Sequence, residues 1–98
     1  MLQGITNVGD KMKIIKIGAV WCPGCLMMQK VWNNIKKNNK IKVEELDYDI
    51  DTDKVSKYNI GQILPVIIFL NDSEEEISRL VGEQTEKNIQ EIIDKYRS

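Results

Sequence analysis

The spacing of hydrophobic positions changes along the chain and predicts where strands and helices lie. A short run rich in β-branched residues, residues 14–20, is typical of a strand buried on both faces. Beyond Cys25 the apolar residues recur every three or four positions, which predicts a helix that ends near Asn38. The residues expected on its core side are Met27, Met28, Val31, Trp32 and Ile35.

The second half of the chain continues the alternation of strands and helices. Strands are predicted over residues 41–47, 66–70 and 76–81, and helices over residues 52–58 and 85–96. The first two strands are joined by a helix and are expected to be parallel. The last two are separated by a turn signal and are expected to form an antiparallel hairpin. The order β-α-β-α-β-β-α therefore predicts an α/β fold with a mixed sheet and helices on both sides.

The length and the net charge of the chain argue against several classes of protein. The 98 residues are predicted to form one domain, residues 1–98, because two separate cores would not fit. The longest charge-free apolar stretch, residues 63–70, is too short to span a bilayer, and the first residues lack the features of a signal peptide. The net charge of −1 argues against nucleic-acid binding. We therefore expect a cytoplasmic monomer that binds neither membrane nor nucleic acid.

The residue types that are available restrict the chemistry further. The chain has no histidine, which excludes serine–histidine and cysteine–histidine nucleophile pairs as well as histidine metal ligands. The two cysteines, Cys22 and Cys25, are too few for a disulfide scaffold or for a four-cysteine zinc site in one chain. No resident metal is expected.

A Cys-x-x-Cys motif lies where the first strand ends and a helix begins, in the segment Trp21-Cys22-Pro23-Gly24-Cys25. With Cys22 at the helix N-cap, backbone N–H groups and the helix dipole favour its thiolate, which is the species that attacks a disulfide. Cys25 can close a disulfide with Cys22 and so expel a bound partner. We therefore predict Cys22 as the exposed nucleophile and Cys25 as the covered resolving cysteine.

The residues alone also allow two other interpretations of the two cysteines. Both cysteines could be packed in the core without a redox role. They could also be ligands, shared between two chains around zinc or an iron–sulfur cluster. The position of the motif inside a βαβ unit favours redox function over both.

The chain resembles the thioredoxin family over residues 14–96. Three segments carry the resemblance: Trp21-Cys22-Pro23-Gly24-Cys25, Ile63-Leu64-Pro65-Val66 and Val81-Gly82. It implies the thioredoxin fold, in which a central mixed four-stranded sheet is flanked by three helices. It also implies reversible thiol–disulfide exchange with proteins.

The resemblance also implies roles for individual residues. Cys22 resembles the attacking cysteine, Cys25 the resolving cysteine and Pro65 the cis-proline of the family. A cis bond before Pro65 would present the backbone of Leu64 to a substrate segment beside Cys22. Trp21 is expected to form a partly exposed wall of the site. The residues expected at the substrate are Trp21, Pro23, Gly24, Leu64 and Pro65.

Four departures from the family pattern matter, and one is Val66, which stands after Pro65 where thioredoxins commonly carry a threonine. Thioredoxins usually have Gly-Pro between the two cysteines, whereas this chain has Pro23-Gly24, and a proline directly after the nucleophile is more similar to glutaredoxins. Because the residues between the cysteines tune the reduction potential, the sequence does not predict its value. Lys30 stands where thioredoxins carry a proline that kinks the helix, so a straighter helix is expected. Only 21 residues precede Cys22, so the N-terminal strand and helix of thioredoxin are expected to be shortened or absent.

A lysine lies where the family places a buried aspartate, six residues before the nucleophile. This residue is Lys16, and a charge in an apolar strand needs a partner. In thioredoxins that aspartate pairs with a lysine on the next strand. If the two sequences are aligned from Cys22 without a gap, the position of that lysine is Asp47 here, and with a gap it is Glu45. We therefore expect an ion pair between Lys16 and one of these two carboxylates. The alternative is that Lys16 extends to the surface without a role. A paired Lys16 would stabilise the thiolates and make the protein more oxidising.

The sequence thus predicts a thioredoxin-like protein-disulfide reductase without a bound cofactor. By the resemblance, its partners are disulfide-containing proteins and a flavin-dependent thioredoxin reductase that supplies the electrons. A glutaredoxin-like reductase that depends on glutathione is the first alternative, favoured by Pro23. A non-catalytic module that binds a metal or a cluster through the two cysteines is the second.

Overall fold

The computed structural model describes residues 12–97, which form four strands and four α-helices. The strands are β1 (Lys13–Gly18), β2 (Lys42–Asp47), β3 (Val66–Leu70) and β4 (Glu76–Val81). The helices are α1 (Pro23–Met27), α2 (Gln29–Asn38), α3 (Thr52–Val55) and α4 (Glu86–Arg97). A single 3-10 turn, Ser56–Tyr58, follows α3.

The strands form one mixed sheet in the order β2-β1-β3-β4. Strand β1 pairs in parallel with β2 and antiparallel with β3, and β3 pairs antiparallel with β4. The prediction of a mixed four-stranded sheet with a parallel first pair and a C-terminal hairpin is therefore confirmed. All five residues of β3 are buried, as expected for a strand that has neighbours on both edges and cover on both faces.

Alternation along the central strands divides the core between the two faces of the sheet. Ile14, Ile67 and Phe69 point to the face that α2 and α4 cover. Ile15 and Ile17 point to the other face, where Leu46 and the α3 residue Val55 complete the core. The side chains that α2, α4 and the preceding turn contribute to the first face are Met28, Trp32, Ile35, Ile89 and Ile93.

The single straight helix predicted after the motif is wrong, because two helices replace it. Helix α1 ends at Met27, and Met28 (φ −87°, ψ 2°) separates it from α2. No proline is needed for this break, since any residue can reach a backbone conformation with ψ near zero. Met28 is buried as predicted, whereas Met27 is 70% exposed and does not belong to the core. Neighbouring helical residues point about 100° apart, so the two methionines cannot share one face.

The prediction of a shortened N-terminal strand and helix concerns residues that lie outside the described range. Within residues 12–97, none of the helices is both long and apolar enough to cross a membrane.

Candidate active site

The cysteines are positioned by the loop that carries the chain from β1 into α1. The backbone N–H of Cys22 donates to the carbonyl oxygen of Ala19 at 3.1 Å, and Cys22 is the N-cap of α1. Pro23 follows in the first turn of the helix, where a missing N–H leaves no bond unmade. Cys22 and Cys25 are joined by a disulfide with a Cα–Cα distance of 5.3 Å. The described protein is therefore in its oxidised form.

The amide of Cys25 supports the sulfur of Cys22. Its N–H is shared between the Cys22 Sγ and the Cys22 carbonyl oxygen, each at 3.2 Å. A hydrogen bond to sulfur favours the charged form of that sulfur when the disulfide opens. The arrangement therefore prepares Cys22 to hold a negative charge.

The exposure predicted for the two cysteines is wrong for the oxidised protein. Cys22 is only 3% exposed, whereas Cys25 is partly exposed. The crest of the loop is formed by Val20, Trp21 and Pro23, which are exposed, and Cys22 lies beneath it. Its N–H bond to Ala19 turns the chain inward at the cap, and this turn accounts for the burial of Cys22.

The predicted cis bond before Pro65 is present, and Pro65 lies against the loop of the disulfide. A Cβ on Gly24 would come within 3.5 Å of the Pro65 Cδ and within 3.6 Å of the Glu83 carboxylate. The carbonyl oxygen of Pro65 accepts the N–H of Gly82 at 2.7 Å, which ties this segment to the end of β4. The three sequence segments that carry the family resemblance therefore meet in space.

Trp21 forms an exposed wall beside the disulfide, as expected. The side chain is 57% exposed, and its Nε1–H donates to the Asp49 Oδ2 at 2.6 Å. Its ring also meets the ring of Tyr48 edge-on, with 6.5 Å between the centroids. Sequence reasoning missed Asp49, because a contact across 28 residues leaves no local signal.

Lys16 pairs with Glu45 and not with Asp47. The parallel register of β1 and β2 places Lys16 beside Glu45 and Gly18 beside Asp47. The prediction of Glu45 as the partner is therefore confirmed, and the prediction of Asp47 is wrong. The Lys16 Nζ lies 3.6 Å from the Glu45 Oε2 and 5.2 Å from the centroid of the Trp32 ring. The Asp47 Oδ1 instead accepts the N–H groups of Asp49 and Ile50 at 2.8 and 3.0 Å and so shapes the loop after β2.

Burial changes the ionisation of Lys16. Loss of solvation lowers the pKa of its ammonium below the ordinary value, the Glu45 carboxylate partly opposes this, and the Lys36 ammonium adds to it. The side chain is 16% exposed, so it does not extend freely to the surface. Lys16 and Cys25 both line one cavity between α2 and the sheet.

In residues 12–97, no three histidine, cysteine or acidic side chains lie together in a way that could hold a metal ion. The Asp47 carboxylate accepts a backbone N–H and the Asp49 carboxylate accepts the Trp21 Nε1–H.

Comparisons with known proteins agree with the geometry. The Thioredoxin family model matches residues 3–95. The chain is 26% identical over 92 residues to the thioredoxin of Staphylococcus haemolyticus, which covers 92% of this chain and 86% of the relative. It is 28% identical over 93 residues to the thioredoxin of Staphylococcus epidermidis, which covers 93% of this chain and 88% of the relative.

Solved structures show the same fold. A mutant thioredoxin from Halobacterium salinarum superposes with a TM-score of 0.83 at 21% identity, covering 98% of this chain and 85% of that one. The thioredoxin of Fasciola hepatica superposes with a TM-score of 0.77 at 23% identity, covering 97% and 90%. The chain belongs to the thioredoxin family, and the Cys22–Cys25 pair makes it a thiol–disulfide oxidoreductase.

Proposed function

We propose that the protein reduces disulfides of other proteins in the cytoplasm, with Cys22 as the nucleophile and Cys25 as the resolving cysteine. The observation that carries this assignment is the hydrogen bond from the Cys25 N–H to the Cys22 Sγ. It stabilises negative charge on Cys22 specifically, and a thiolate is what a disulfide-reducing nucleophile needs. A reducing compartment keeps such a dithiol supplied with electrons.

Each turnover consumes two electrons from the dithiol. The Cys22 thiolate attacks one sulfur of the target, which forms a mixed disulfide and releases the other target sulfur as a thiolate that takes up a proton. The Cys25 thiol then loses its proton and attacks the Cys22 Sγ. This second attack restores the Cys22–Cys25 disulfide and releases the target's remaining sulfur, so the target leaves with two thiols.

The surface around the disulfide suits an extended peptide segment. The backbone of Leu64 and Pro65 lies beside the loop at Gly24, where a target strand can pair with it. Trp21 forms one wall of this surface, and Pro23 is exposed at the crest of the loop. We assign the five residues Trp21, Pro23, Gly24, Leu64 and Pro65 to substrate binding.

Single-cysteine variants test the two roles with insulin as the target. Cys25→Ser should accumulate a mixed disulfide between Cys22 and an insulin chain, because the resolving step is removed. Cys22→Ser should form no such adduct, and both variants should lose catalytic insulin reduction. Insulin reduction that survives in Cys22→Ser would overturn the assigned nucleophile.

We further propose that a flavin-dependent thioredoxin reductase supplies the electrons. The family membership supports this donor, and the order Pro23-Gly24 makes glutathione the alternative to test. Insulin reduction should proceed with NADPH and a thioredoxin reductase of a bacterial relative. Turnover with glutathione alone, and none with the reductase, would contradict this proposal.

Lys16 is proposed to raise the reduction potential of the dithiol. Its ammonium lines the same cavity as Cys25 and favours thiolates over the neutral disulfide. Lys16→Met should therefore lower the potential by roughly 10–20 mV, which corresponds to about 0.5–1 kcal/mol for a two-electron couple. The potential is measured by equilibration with a dithiothreitol redox buffer. An unchanged potential would leave Lys16 without a redox role.

A further inference from the structure

A carboxylate lies against the loop that carries the disulfide. A Cβ on Gly24, between the two cysteines, would lie 3.6 Å from the Glu83 Oε1 and 3.7 Å from the Glu83 Cβ. The Pro65 Cδ would lie 3.5 Å from the same point, so Glu83 and Pro65 both border Gly24. Glu83 therefore lies at the surface that we assign to protein targets, although it was not among the residues expected there.

The backbone on both sides of Glu83 is held by hydrogen bonds. The preceding residue, Gly82, has a φ of 91° and donates its N–H to the carbonyl oxygen of Pro65 at 2.7 Å. The side-chain amide of the following residue, Gln84, donates to the carbonyl oxygens of Val81 and Gly82 at 3.2 and 3.4 Å. These bonds fix the point from which the Glu83 side chain leaves the backbone, so its carboxylate stays beside Gly24.

The Glu83 carboxylate is exposed and forms no hydrogen bond or ion pair with the side chains that the structure describes. Two other carboxylates at this end of the sheet are engaged. Asp49 accepts the Trp21 Nε1–H, and Glu86, at the start of α4, accepts an N–H from the Asn34 Nδ2 at 2.9 Å. Of these three carboxylates, Glu83 is the one that is available to a group on a target.

We propose that Glu83 selects targets that carry a lysine or an arginine within two residues of the cysteine that Cys22 attacks. The proposal rests on the redox function proposed above and adds a preference among its protein targets. When an extended target segment lies along Pro65 with its cysteine at Cys22, the residues next to that cysteine pass Gly24. A long basic side chain there reaches the Glu83 carboxylate, whereas an acidic side chain meets a like charge.

The position of Glu83 also sets the size of the preference. An ion pair at an exposed surface changes a binding equilibrium by roughly two- to fivefold. Charges at the rim of an interface act mainly on the rate of association, and dissolved ions screen them. The exposed side chains of Trp21 and Ile63 offer contacts that do not depend on charge. Glu83 is therefore expected to rank targets and not to decide whether the protein reduces them at all.

Short peptides that differ only in charge test this preference. Each capped peptide has one cysteine, which carries a 2-pyridyl disulfide, and has lysine, glutamine or glutamate at the two positions on each side of it. The Cys22 thiolate of the reduced protein forms a bond to the peptide sulfur, the bond to the pyridyl sulfur breaks, and pyridine-2-thiolate leaves and takes up a proton. The absorbance of the resulting thiopyridone gives the second-order rate constant. Division by the rate constant of each peptide with 2-mercaptoethanol removes differences in intrinsic reactivity.

The ratio of the lysine-peptide rate to the glutamine-peptide rate is the quantity of interest. It should be roughly two to five for the wild-type protein at low salt and should approach one in Glu83→Gln and at high salt. Glu83→Lys should reverse the order, so that the glutamate peptide reacts faster than the lysine peptide. A ratio cancels any effect of these substitutions on the reactivity of the Cys22 thiolate itself.

Glu74→Gln is the matched control. It removes the same charge from the turn between β3 and β4, at the opposite end of this hairpin from Gly82. Its ratio should equal that of the wild-type protein. Equal ratios in the wild-type protein and Glu83→Gln would overturn the proposal. An equal fall of the ratio in Glu74→Gln and Glu83→Gln would also overturn it, because net charge alone would then account for the preference.

The glutamine peptide and insulin separate this proposal from the redox function on which it rests. Reaction with the glutamine peptide without a preference for lysine keeps the redox function and rejects the role of Glu83. If the protein reacts with none of the peptides and does not reduce insulin, both proposals are rejected.

Discussion

Lys13 and Lys16 lie three residues apart on β1, yet their surroundings act on their charges in opposite directions. The Lys13 Nζ lies 2.8 Å from the Glu44 Oε1, and this hydrogen bond raises the pKa of Lys13. It also lowers the pKa of the Glu44 carboxyl. At Lys16 the loss of solvation dominates and lowers the pKa. The folded state therefore favours the charge on Lys13 and disfavours the charge on Lys16.

The two lysines should affect stability with opposite signs and different pH dependence. Lys13→Met should cost about 0.2–1 kcal/mol at pH 7, since it removes a partly exposed ion pair. That contribution is present below the ordinary lysine pKa of 10.5 and is lost as the pH rises through the raised pKa of Lys13. Lys16→Met should stabilise the protein at pH 7, and its gain should disappear as the pH approaches 10.5.

Urea denaturation of the oxidised proteins at pH 7, 9 and 11 measures both effects. The wild-type protein is the reference at each pH, so that changes elsewhere in the chain cancel. A loss of stability in Lys16→Met at pH 7 would show that its contacts with Glu45 and Trp32 outweigh its burial.

Gly18 is the position where a small residue is needed most. A Cβ there would lie 2.9 Å from the Cys25 Sγ, which is closer than such atoms approach. Gly18→Ala should therefore destabilise the oxidised protein by about 1–3 kcal/mol through overpacking. Gly61→Ala is the control, because nothing lies within 4 Å of a Cβ at Gly61. Denaturation that gives the same stability for both variants would contradict the close packing of Gly18 on the disulfide.

Single residues also show what a sequence can and cannot predict. The dithiol and the cis-proline were predictable because each depends on a local motif that the family shares. The partner of Lys16 depends on the strand register, and a shift of two residues exchanges Asp47 for Glu45. The burial of Cys22 depends on how the loop turns at Ala19, which no residue in the motif specifies.

At the scale of elements, a pair of side-chain amides, the buried Asn39 and the partly buried Gln90, joins the end of α2 to α4. The Asn39 Nδ2 donates to the Gln90 Oε1 at 2.9 Å, and the Gln90 Nε2 donates back to the Asn39 Oδ1 at 3.0 Å. Asn39 also donates to the carbonyl oxygen of Ile35 at 2.9 Å, which satisfies an end of the helix. One side chain therefore both terminates α2 and docks the C-terminal helix.

Removal of this amide should destabilise the docking of α4. Asn39→Ala removes the bonds to the partly buried Gln90 side chain and to the Ile35 carbonyl oxygen and should cost about 1–3 kcal/mol. Asn38→Ala is the matched control, since Asn38 is the exposed neighbour at the end of the same helix. Chemical denaturation gives the two free energies of unfolding. Equal values would mean that the amide pair contributes little.

Strands and helices were predicted correctly where their bounds depend on the spacing of neighbouring residues. The last two strands begin and end where alternation and turn residues placed them, at residues 66–70 and 76–81. The break at Met28 was missed because Leu26 and Met27 are apolar and continue the helical pattern in the sequence, although both are exposed in the structure. The partnership of Asn39 with Gln90 was also invisible, since it joins residues 51 positions apart.

At the scale of the whole molecule, apolar side chains are exposed around the disulfide. Ile63 is 62% exposed, and its Cγ2 lies 3.9 Å from where a Cβ on Gly82 would be. Gly82 is bonded in turn to the carbonyl oxygen of Pro65. Trp21 and Val81 are exposed at the same end of the sheet. A protein target covers these side chains when it reaches the disulfide, whereas a small disulfide does not.

Ile63→Ser should therefore separate the two kinds of substrate. Loss of an apolar contact worth about 1 kcal/mol should raise the KM for insulin by about fivefold. The rate with a small aromatic disulfide such as dithiobis-nitrobenzoate should stay unchanged, because the chemistry at the dithiol is untouched. Tyr96→Ser is the control for a general loss of exposed apolar surface, since Tyr96 is exposed on α4. An equal rise in the KM for insulin in both variants would contradict a role of Ile63 in docking. A lower rate of Ile63→Ser with the small disulfide would also contradict it, because Ile63 would then act on folding or on the chemistry of the dithiol.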